Sequence, residues 1–351
     1  MELLKRPLDD YIKHRFGTQA ELIKEERFPR GSSRLTYFID YRPTPGAQPV
    51  SLVFRGDFAG GSTIHTSLAQ EYYMYERLGH TEVPIARVIA WEEDPAWTDR
   101  PFYIREQIEG SWIVPHVDDP DPGYDDLRIE IAKEHLCKIA IVHKVDWKAL
   151  GLNERLAAPP DKESAAAHFL ENLLLTLRDY QREPMPVLNE ALAVFRRDLP
   201  AAPVLALCKG TNGRGEEVFK DGKIVAMSDW EEASIGDPAA DFASMQDMYP
   251  TISRDGETIW SLQHAIDYYN LVSGHGVTMK NVQFYMSLRT LGSILYGHKS
   301  AVIMHEGCAD IRQGWTGTEV FYLMKRMNGA VAGICDPVDP RWFAELNETV
   351  A

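Results

Sequence analysis

The chain has 351 residues, of which 44% are hydrophobic and 25% are charged, a balance typical of a globular protein with room for two domains. Its formal net charge is −15. This surplus of acidic residues argues against binding to a nucleic-acid backbone, which requires a basic face. The charge is compatible with cationic or neutral substrates, and we expect no nucleic-acid partner.

Cysteine spacing and hydropathy indicate the compartment. The four cysteines are far apart and form no CxxC pair, so a disulfide framework is not expected. The first residues, "MELLKRPLDDYIKHRFG", are too charged for a signal peptide. No apolar run approaches the roughly 18 residues of a membrane span. The sequence predicts a cytoplasmic protein in a reducing setting, with no membrane partner.

The first 110 residues are predicted to form an antiparallel α+β lobe. Apolar residues recur at helical spacing within residues 1–20, and a small polar turn, Gly31-Ser32-Ser33, separates two strand-like runs. A third strand, "VSLVFRGD", carries Arg55, and residues 66–79 show the pattern of a helix with Glu71 near its centre. Two further strands, "ARVIAWEED" and "PFYIREQIEG", complete a set of five.

Helical patterns dominate the second part, residues 111–351. A connector rich in proline, glycine and aspartate is followed by a long helix beginning near residue 127 and by two more helices before residue 200. Next come a glycine-spaced loop, "LCKGTNGRGEEVF", and the hairpin "VFKDGKIVAMSDW", in which Asp221-Gly222 is a strong turn signal. Residues from 257 to the end are predicted to be mostly helical.

Individually, the candidate functional residues have ordinary explanations. The Gly31-Ser32-Ser33 turn allows backbone N–H groups to approach a phosphate, but it is equally a hairpin turn. Arg55 at a strand end and Glu71 in a helix form a possible ion pair, although solvated surface residues are the commoner case. Asp229 is more telling, because a carboxylate directly after an apolar strand is unfavourable unless it is paired or binds a metal.

The order of these features is more informative than any one of them. The features follow one another in the order that a kinase-like fold needs to hold ATP between two lobes. This order is a glycine turn, a basic strand residue, an acidic helix residue, a connector, a helical lobe, a glycine-spaced loop and an aspartate after a hairpin. We therefore predict a bilobal protein kinase-like fold. It has a small antiparallel-sheet N-lobe, residues 1–110, and a larger, mainly helical C-lobe, residues 111–351.

Three motifs resemble those of the aminoglycoside phosphotransferase/choline kinase-like superfamily, in particular its acyl-CoA-dehydrogenase-linked branch. "SSRLTYFID" is similar to the nucleotide-positioning loop of that branch. "IVHKVDWKALGL", residues 141–152, is similar to its "LHxVDWxxLGL" signature. "SDWEEASIGDPAADFA", residues 228–243, is similar to its "DWELAxxGDPxxDLA" motif and is the most specific match. The resemblance covers roughly residues 20–335.

This resemblance implies ATP and Mg²⁺ as cofactors and assigns roles by position. The residues that it implies for the nucleotide are Ser32 and Ser33 over the phosphates, Arg55 with its partner Glu71, and the hinge from Glu106 to Ile108 beside adenine. Asp229 matches the aspartate that binds Mg²⁺. Asp241 matches an aspartate that braces the catalytic loop.

The catalytic loop departs from the branch pattern H-G-D-x-G-P-G-N. Its glycines at 210, 213 and 215 keep register, but the four other positions have changed. Lys209 replaces the histidine, Thr211 the base aspartate, Arg214 the proline and Glu216 the metal-binding asparagine. These four residues are the candidate catalytic set, with Glu216 and Asp229 as candidate metal ligands.

The consequences of these changes differ from residue to residue. Thr211 cannot act as a base at neutral pH, whereas Glu216 offers a carboxylate that Mg²⁺ readily takes. Lys209 and Arg214 are suited to a phosphate, a CoA moiety or a substrate carboxylate, unless both are solvated and one pairs with Glu216. Glu217 falls where the branch begins an apolar strand, so either the strand starts later or Glu217 faces the cleft.

Three functions are compatible with this loop. The first is a divergent phosphotransferase that uses Mg-ATP to phosphorylate the hydroxyl of a small metabolite or an acyl-CoA. The second is a pseudokinase that binds nucleotide or ligand without transferring phosphate. The third is a kinase-fold enzyme repurposed for other chemistry, with Glu216 or Glu217 as its acid or base.

Overall fold

The first part of the chain forms one antiparallel sheet covered by two helices. The computed structural model describes residues 5–28, 33–57, 66–182, 184–245 and 248–307, together with residues 311 and 314. The strands are β1 (Glu21–Arg27), β2 (Arg34–Arg42), β3 (Val50–Asp57), β4 (Val88–Glu92) and β5 (Phe102–Glu106), and their order in the sheet is β1-β2-β3-β5-β4. The helices are α1 (Leu8–Phe16) and α2 (Leu68–Leu78).

Helix α2 begins and is oriented by features of its own sequence. The Ser67 side chain accepts a hydrogen bond from the backbone N–H of Gln70 at 3.0 Å, which caps the first turn. The helix buries one apolar face, including Met74 and Leu78, together with the carboxylate of Glu71. A carboxylate with no exposed surface requires a partner, and this one points towards β3.

The second part is mainly helical, with three short strand pairs. Its helices are α3 (Asp125–His143), α4 (Ala165–Tyr180), α5 (Pro186–Arg197), α6 (Ala239–Ser244), α7 (Leu262–Ser273) and α8 (Met279–His305). Its strands are β6 (Ala206–Cys208), β7 (Glu217–Lys220), β8 (Lys223–Met227), β9 (Ser234–Gly236), β10 (Ile252–Arg254) and β11 (Glu257–Trp260). They pair antiparallel as β6-β9, β7-β8 and β10-β11.

The predicted fold class and the predicted Asp221-Gly222 turn are confirmed, and the structure differs from the prediction in one local feature, a further hairpin. Asp221 and Gly222 both adopt positive φ, 52° and 74°, as a two-residue hairpin turn requires. The β10-β11 hairpin was not expected, and β11 lies where the sequence predicted helix. Asp255 and Gly256 form its turn, again with positive φ, so a local turn signal was present and was outweighed by the helical pattern further on.

Two hydrophobic cores hold these layers. One lies between α1 and the sheet and contains Tyr11, Ile12 and Phe102. The larger core runs from α2 through the helical part, and so it joins the two parts of the chain along α2. Among the described residues, no helix combines the length and the apolar character needed to cross a membrane.

Candidate active site

Asp229 lies at the junction of the sheet and the helical part, directly after β8. Its backbone is left-handed, with φ 64°, which is uncommon for a residue other than glycine and is a form of strain often found at functional sites. Its Oδ1 lies 3.6 Å from Nη2 of Arg55 on β3. Oδ1 is buried and receives no hydrogen bond from the part of the chain that the structure describes. The carboxylate is therefore held in place with an oxygen still free to bind.

Arg55 and Glu71 form a tight ion pair beside this aspartate. Arg55 Nη2 donates to Glu71 Oε1 at 2.8 Å, and the Glu71 side chain is 1% exposed. Although burial opposes the charge, Glu71 and Asp229 raise the pKa of Arg55 above its usual value. The pair that the sequence suggested is thus formed, whereas the surface alternative for Glu71 is wrong.

A buried arginine, Arg34, was missed by the sequence analysis. Arg34 donates to Asp57 at 2.8 Å and lies 3.4 Å from Glu231, the fourth residue of the "SDWEEA" segment. Burial, followed by the charges of Asp229 and Glu71, raises the pKa of Glu231 to about 8. Arg34 and Glu231 therefore connect the first strands to the helical part. The only sequence signal for this contact is the position of Glu231 in the Asp229-Trp230-Glu231 motif.

The glycine-spaced loop is fixed by Asp241 on α6. Asp241 accepts the backbone N–H of Lys209 and that of Gly210, both at 2.8 Å, and it also contacts Nε2 of His143 at 2.9 Å. The hydrogen bond and charge of His143 lower the pKa of Asp241 in spite of its burial. The predicted bracing by Asp241 is confirmed. His143, Cys208 and Asp241 place three metal-type ligand atoms together. Each already has a partner within the protein, since Cys208 Sγ donates to the Asp237 backbone oxygen at 3.3 Å and His143 contacts Asp241.

Lys209 and Glu217 face each other in the interior. Both side chains are 0% exposed, and Lys209 Nζ lies 3.8 Å from Glu217 Oε1, which is also 3.3 Å from Nε2 of His135. The ammonium donates to the backbone oxygen of Thr211. The prediction that Lys209 contacts a phosphate, CoA or a substrate carboxylate is therefore wrong, and so is the alternative that it is solvated.

Glu217 likewise departs from both expectations. Strand β7 begins at Glu217 itself, and its side chain points into the interior rather than into the cleft. The family's histidine and apolar residue have thus been replaced together by a buried cation and anion. This paired change explains why an acidic residue occupies the first position of a buried strand.

Arg214 and Thr211 lie on the open side of the loop. Arg214 pairs with Asp118 of the connector and is 41% exposed, so it does not pair with Glu216. Thr211 donates from Oγ1 to Oε2 of Glu232 at 2.8 Å. A Cβ added at Gly210 would lie 2.4 Å from the backbone oxygen of Glu232, so only glycine allows this approach. Glu232 is a second residue that the sequence analysis missed.

Glu216 is half-buried at the start of the hairpin. Its backbone oxygen accepts from the N–H and the hydroxyl of Ser228, each at 2.7 Å, which ties the loop to the end of β8. Burial, followed by the charge of Asp229, raises the pKa of Glu216 to about 8. The two candidate metal ligands are therefore close enough for their charges to interact.

The other residues predicted to bind the nucleotide belong to the predicted turn before β2 and to the hinge at the end of β5. Ser32 lies outside the described residues, and Ser33 is buried beside Arg34. At the hinge, the Glu106 backbone donates to Arg87 at 3.0 Å and accepts from the Arg105 guanidinium at 3.3 Å. Ile108 is half-buried against the larger core. Both backbone groups of Glu106 are therefore hydrogen-bonded to other residues of the protein.

Together, the lobes, the braced loop and the Arg55–Glu71–Asp229 group define a kinase-like phosphotransferase architecture. The chain belongs to the phosphotransferase enzyme family, whose model matches residues 24–259. The resemblance drawn from the three motifs is thereby confirmed.

Solved structures agree in fold. A putative aminoglycoside phosphotransferase from Ralstonia eutropha JMP134 superposes with a TM-score of 0.66 at 20% identity, covering 93% of this chain and 97% of its own. The macrolide 2'-phosphotransferase MphH from Brachybacterium faecium gives 0.54 at 16% identity, covering 95% and 98%. A ternary complex of aminoglycoside phosphotransferase APH(4)-Ia with ADP and hygromycin B gives 0.58 at 12% identity, covering 94% and 99%.

Two curated relatives are longer proteins. The probable acyl-CoA dehydrogenase IBR3 of Arabidopsis thaliana is 24% identical over 343 residues, which is 90% of this chain and 41% of that protein. Acyl-CoA dehydrogenase family member 10 of Mus musculus is 25% identical over 259 residues, which is 69% of this chain and 22% of that protein. The chain thus spans less than half the length of either relative.

Proposed function

We propose that this chain is a divergent phosphotransferase that uses Mg-ATP to phosphorylate the hydroxyl of a small metabolite. The observation that carries the proposal is the group formed by Arg55 and Asp229, both partly buried, with the fully buried Glu71, at contacts of 2.8 and 3.6 Å. A kinase-like site needs a fixed cation for the phosphates and a carboxylate for the metal, and this group supplies both. Loss of function by drift would leave little reason to keep such a costly buried arrangement.

The acidic residues fit a divalent cation. Asp229 has a buried oxygen without a hydrogen-bond donor among the described residues, and burial, followed by the charge of Asp229, raises the pKa of Glu216. Mg²⁺ is usually held by one or two carboxylates together with substrate phosphates, and Asp229 and Glu216 are both carboxylates. When bound, it would neutralise charge on the phosphate oxygens. Asp229 would hold it from the end of β8, with Glu216 as the second ligand.

The nucleotide would lie between the sheet and the helical part. Arg55 is fixed by Glu71, so its guanidinium would bind phosphate oxygens without first losing side-chain freedom. Ser32 and Ser33 are proposed to cover the phosphates, with Ile108 and Glu106 at the adenine end. Support comes from the family neighbour that was solved with ADP and hygromycin B.

The acceptor is proposed to be a small hydroxylated metabolite, with an acyl-CoA as one candidate. The neighbours named above are phosphotransferases of aminoglycosides and macrolides, which are hydroxyl-bearing small molecules. The names of the two curated relatives are the reason to include acyl-CoA derivatives in a panel of acceptors.

A pseudokinase is the second candidate, because Thr211 occupies the position of the base and donates its hydroxyl proton to Glu232. The third candidate is non-phosphoryl chemistry with Glu216 or Glu217 as acid or base. Because the Glu217 carboxylate is fully buried, only Glu216 could take this role.

Thermal shift and transfer assays separate these functions. We expect Mg-ATP and Mg-ADP at millimolar concentration to raise the melting temperature, and ADP with EDTA to raise it less. Transfer of labelled γ-phosphate to water or to an acceptor panel then distinguishes a phosphotransferase from a pseudokinase. The absence of any shift with either nucleotide would exclude both and leave repurposed chemistry.

A further inference from the structure

We infer that Glu232 is the proton acceptor of this enzyme and that it acts through the hydroxyl of Thr211. The inference rests on the proposed phosphotransferase function, since it assigns the base of that reaction. At the position of Glu232 the family's motif has leucine, so this carboxylate is a feature of the present chain.

The geometry places a carboxylate next to the position from which the family's aspartate is missing. Glu232 Oε2 lies 2.8 Å from Thr211 Oγ1, and the two side chains come from positions 21 residues apart. Gly210 makes this possible, because any side chain there would collide with the Glu232 backbone. The loop is held against Glu232 from the other side by Asp241, which accepts two of its backbone N–H groups.

Hydrogen-bond directions in this cluster are fixed by chemistry. An ionised carboxylate only accepts, so the Thr211 hydroxyl must donate to Glu232 and keeps lone pairs free to accept from a substrate hydroxyl. Tyr296 on α8 donates its hydroxyl to the other oxygen, Oε1. Burial and the charge of Glu232 raise the pKa of Tyr296, so it remains a donor across the neutral range. Two donors therefore hold the carboxylate in one orientation.

These directions define a relay with balanced atoms and charges. As the acceptor oxygen forms its bond to the γ-phosphorus, its proton passes to Thr211 Oγ1, while the original Thr211 proton passes to Glu232 Oε2. The bond between the γ-phosphorus and the bridging oxygen breaks, and ADP leaves with its electron pair. Glu232 ends the step as a neutral carboxylic acid and later returns its proton to solvent, while Thr211 is unchanged. Tyr296 is a positioning residue in this scheme.

Substitutions at the pair test the relay with water as the acceptor, measured as steady-state hydrolysis of Mg-ATP. Glu232→Gln and Thr211→Val should each lower kcat about 10²-fold, the lower end for a positioned base, because phosphoryl transfer has a loose transition state. Combined, they should cost no more than either alone, since both break one relay. Thr211→Ser should stay within about threefold of the wild type. The exposed Glu257→Gln is the matched control.

A polarity swap gives a readout that a structural role would not produce. Thr211→Asp in the Glu232→Gln background restores a carboxylate at the family's position and lets the new amide donate to it. We expect this double variant to recover at least tenfold over Glu232→Gln. Thr211→Asp alone should have a lower kcat than this double variant, because it places two carboxylates about 3 Å apart at the 2.8 Å contact.

The outcomes separate this inference from the proposed function. If the wild type hydrolyses Mg-ATP and Glu232→Gln stays within about threefold of it, the base assignment is wrong and the phosphotransferase function stands. A Glu232→Gln defect that Thr211→Asp does not relieve also overturns the assignment. A wild type that binds Mg-ADP but transfers phosphate to neither water nor an acceptor panel overturns both. Mg-ADP affinity within about twofold of the wild type in each variant shows that the site is intact.

Discussion

Replacing Glu217 by leucine, the type of residue found in the family at this position, is expected to destabilise the protein. The substitution leaves the Lys209 ammonium in a site where its side chain is 0% exposed and its ionic partner is gone. Breaking a buried ion pair by removing one partner costs about 3–5 kcal/mol of unfolding free energy. An apolar substitution at a buried strand position is therefore predicted to be harmful here.

The magnitude follows from the separation of the charges. Lys209 Nζ and Glu217 Oε1 are 3.8 Å apart, and two unit charges at this distance attract by about 4 kcal/mol at an effective dielectric constant near 20. That gain offsets a desolvation penalty of several kcal/mol per ion. Removing both charges together, as in Lys209→Met with Glu217→Leu, should give a protein within about 1 kcal/mol of the wild type or more stable.

The test is a double-mutant cycle measured by urea unfolding. Trp230 is a suitable fluorescence probe, because Lys209 Nζ lies 5.7 Å from its ring. The control is Glu109→Leu, which breaks the exposed Lys220–Glu109 pair and should cost at most about 1 kcal/mol. A loss below about 1 kcal/mol for Glu217→Leu, or additive effects in the double variant, would refute the assignment of a buried ion pair.

Three further predictions concern the cleft. Glu71→Gln should weaken Mg-ADP binding about tenfold in calorimetric titration, because Arg55 loses the partner that orients it at 2.8 Å, and an unchanged Kd would contradict this role. Asp229→Asn should make nucleotide affinity independent of Mg²⁺, as checked by titration with and without EDTA, and a retained Mg²⁺ effect would argue for another ligand. Burial raises the pKa of Glu216 from 4.5 to about 8, so its contribution to the stability of the nucleotide-free protein is complete below pH 4.5 and is lost as pH rises through 8. Glu216→Gln should remove this loss, so the variant should gain stability relative to the wild type between pH 5 and 8.5, and parallel pH profiles in urea unfolding would contradict the shift.

The sequence was sufficient for the architecture because the relevant signals are local. Strand-like runs bounded by turn residues predicted the first sheet, and the Asp221-Gly222 pair predicted the β7-β8 turn that the structure shows. The motif residues were also placed in the correct elements, with Arg55 on β3, Glu71 in α2 and Asp229 after β8. The β10-β11 hairpin was the exception, because a weak turn signal lay next to a strong helical pattern.

Side-chain direction within the loop was a different kind of question. A lysine and a glutamate in a glycine-rich loop are usually solvated, and nothing in their neighbouring residues indicates that both turn inward. Glu217 contacts His135, which is distant in sequence, and Lys209 lies against Glu217. The same holds for Arg34, whose partner Glu231 lies nearly 200 residues further along the chain, on the opposite side of the cleft.

The kinase-like fold could be predicted from the residues alone, and so could the lack of the usual aspartate at position 211. The position of a carboxylate that is available instead could be seen only in the folded protein. The close approach at Gly210 brings Glu232 to 2.8 Å from Thr211, while Glu217 is withdrawn into the core. A pattern along one chain specifies residue types and spacing, whereas chemistry at this site depends on non-local contacts that exist only once the loop is packed against α6 and the segment after β8.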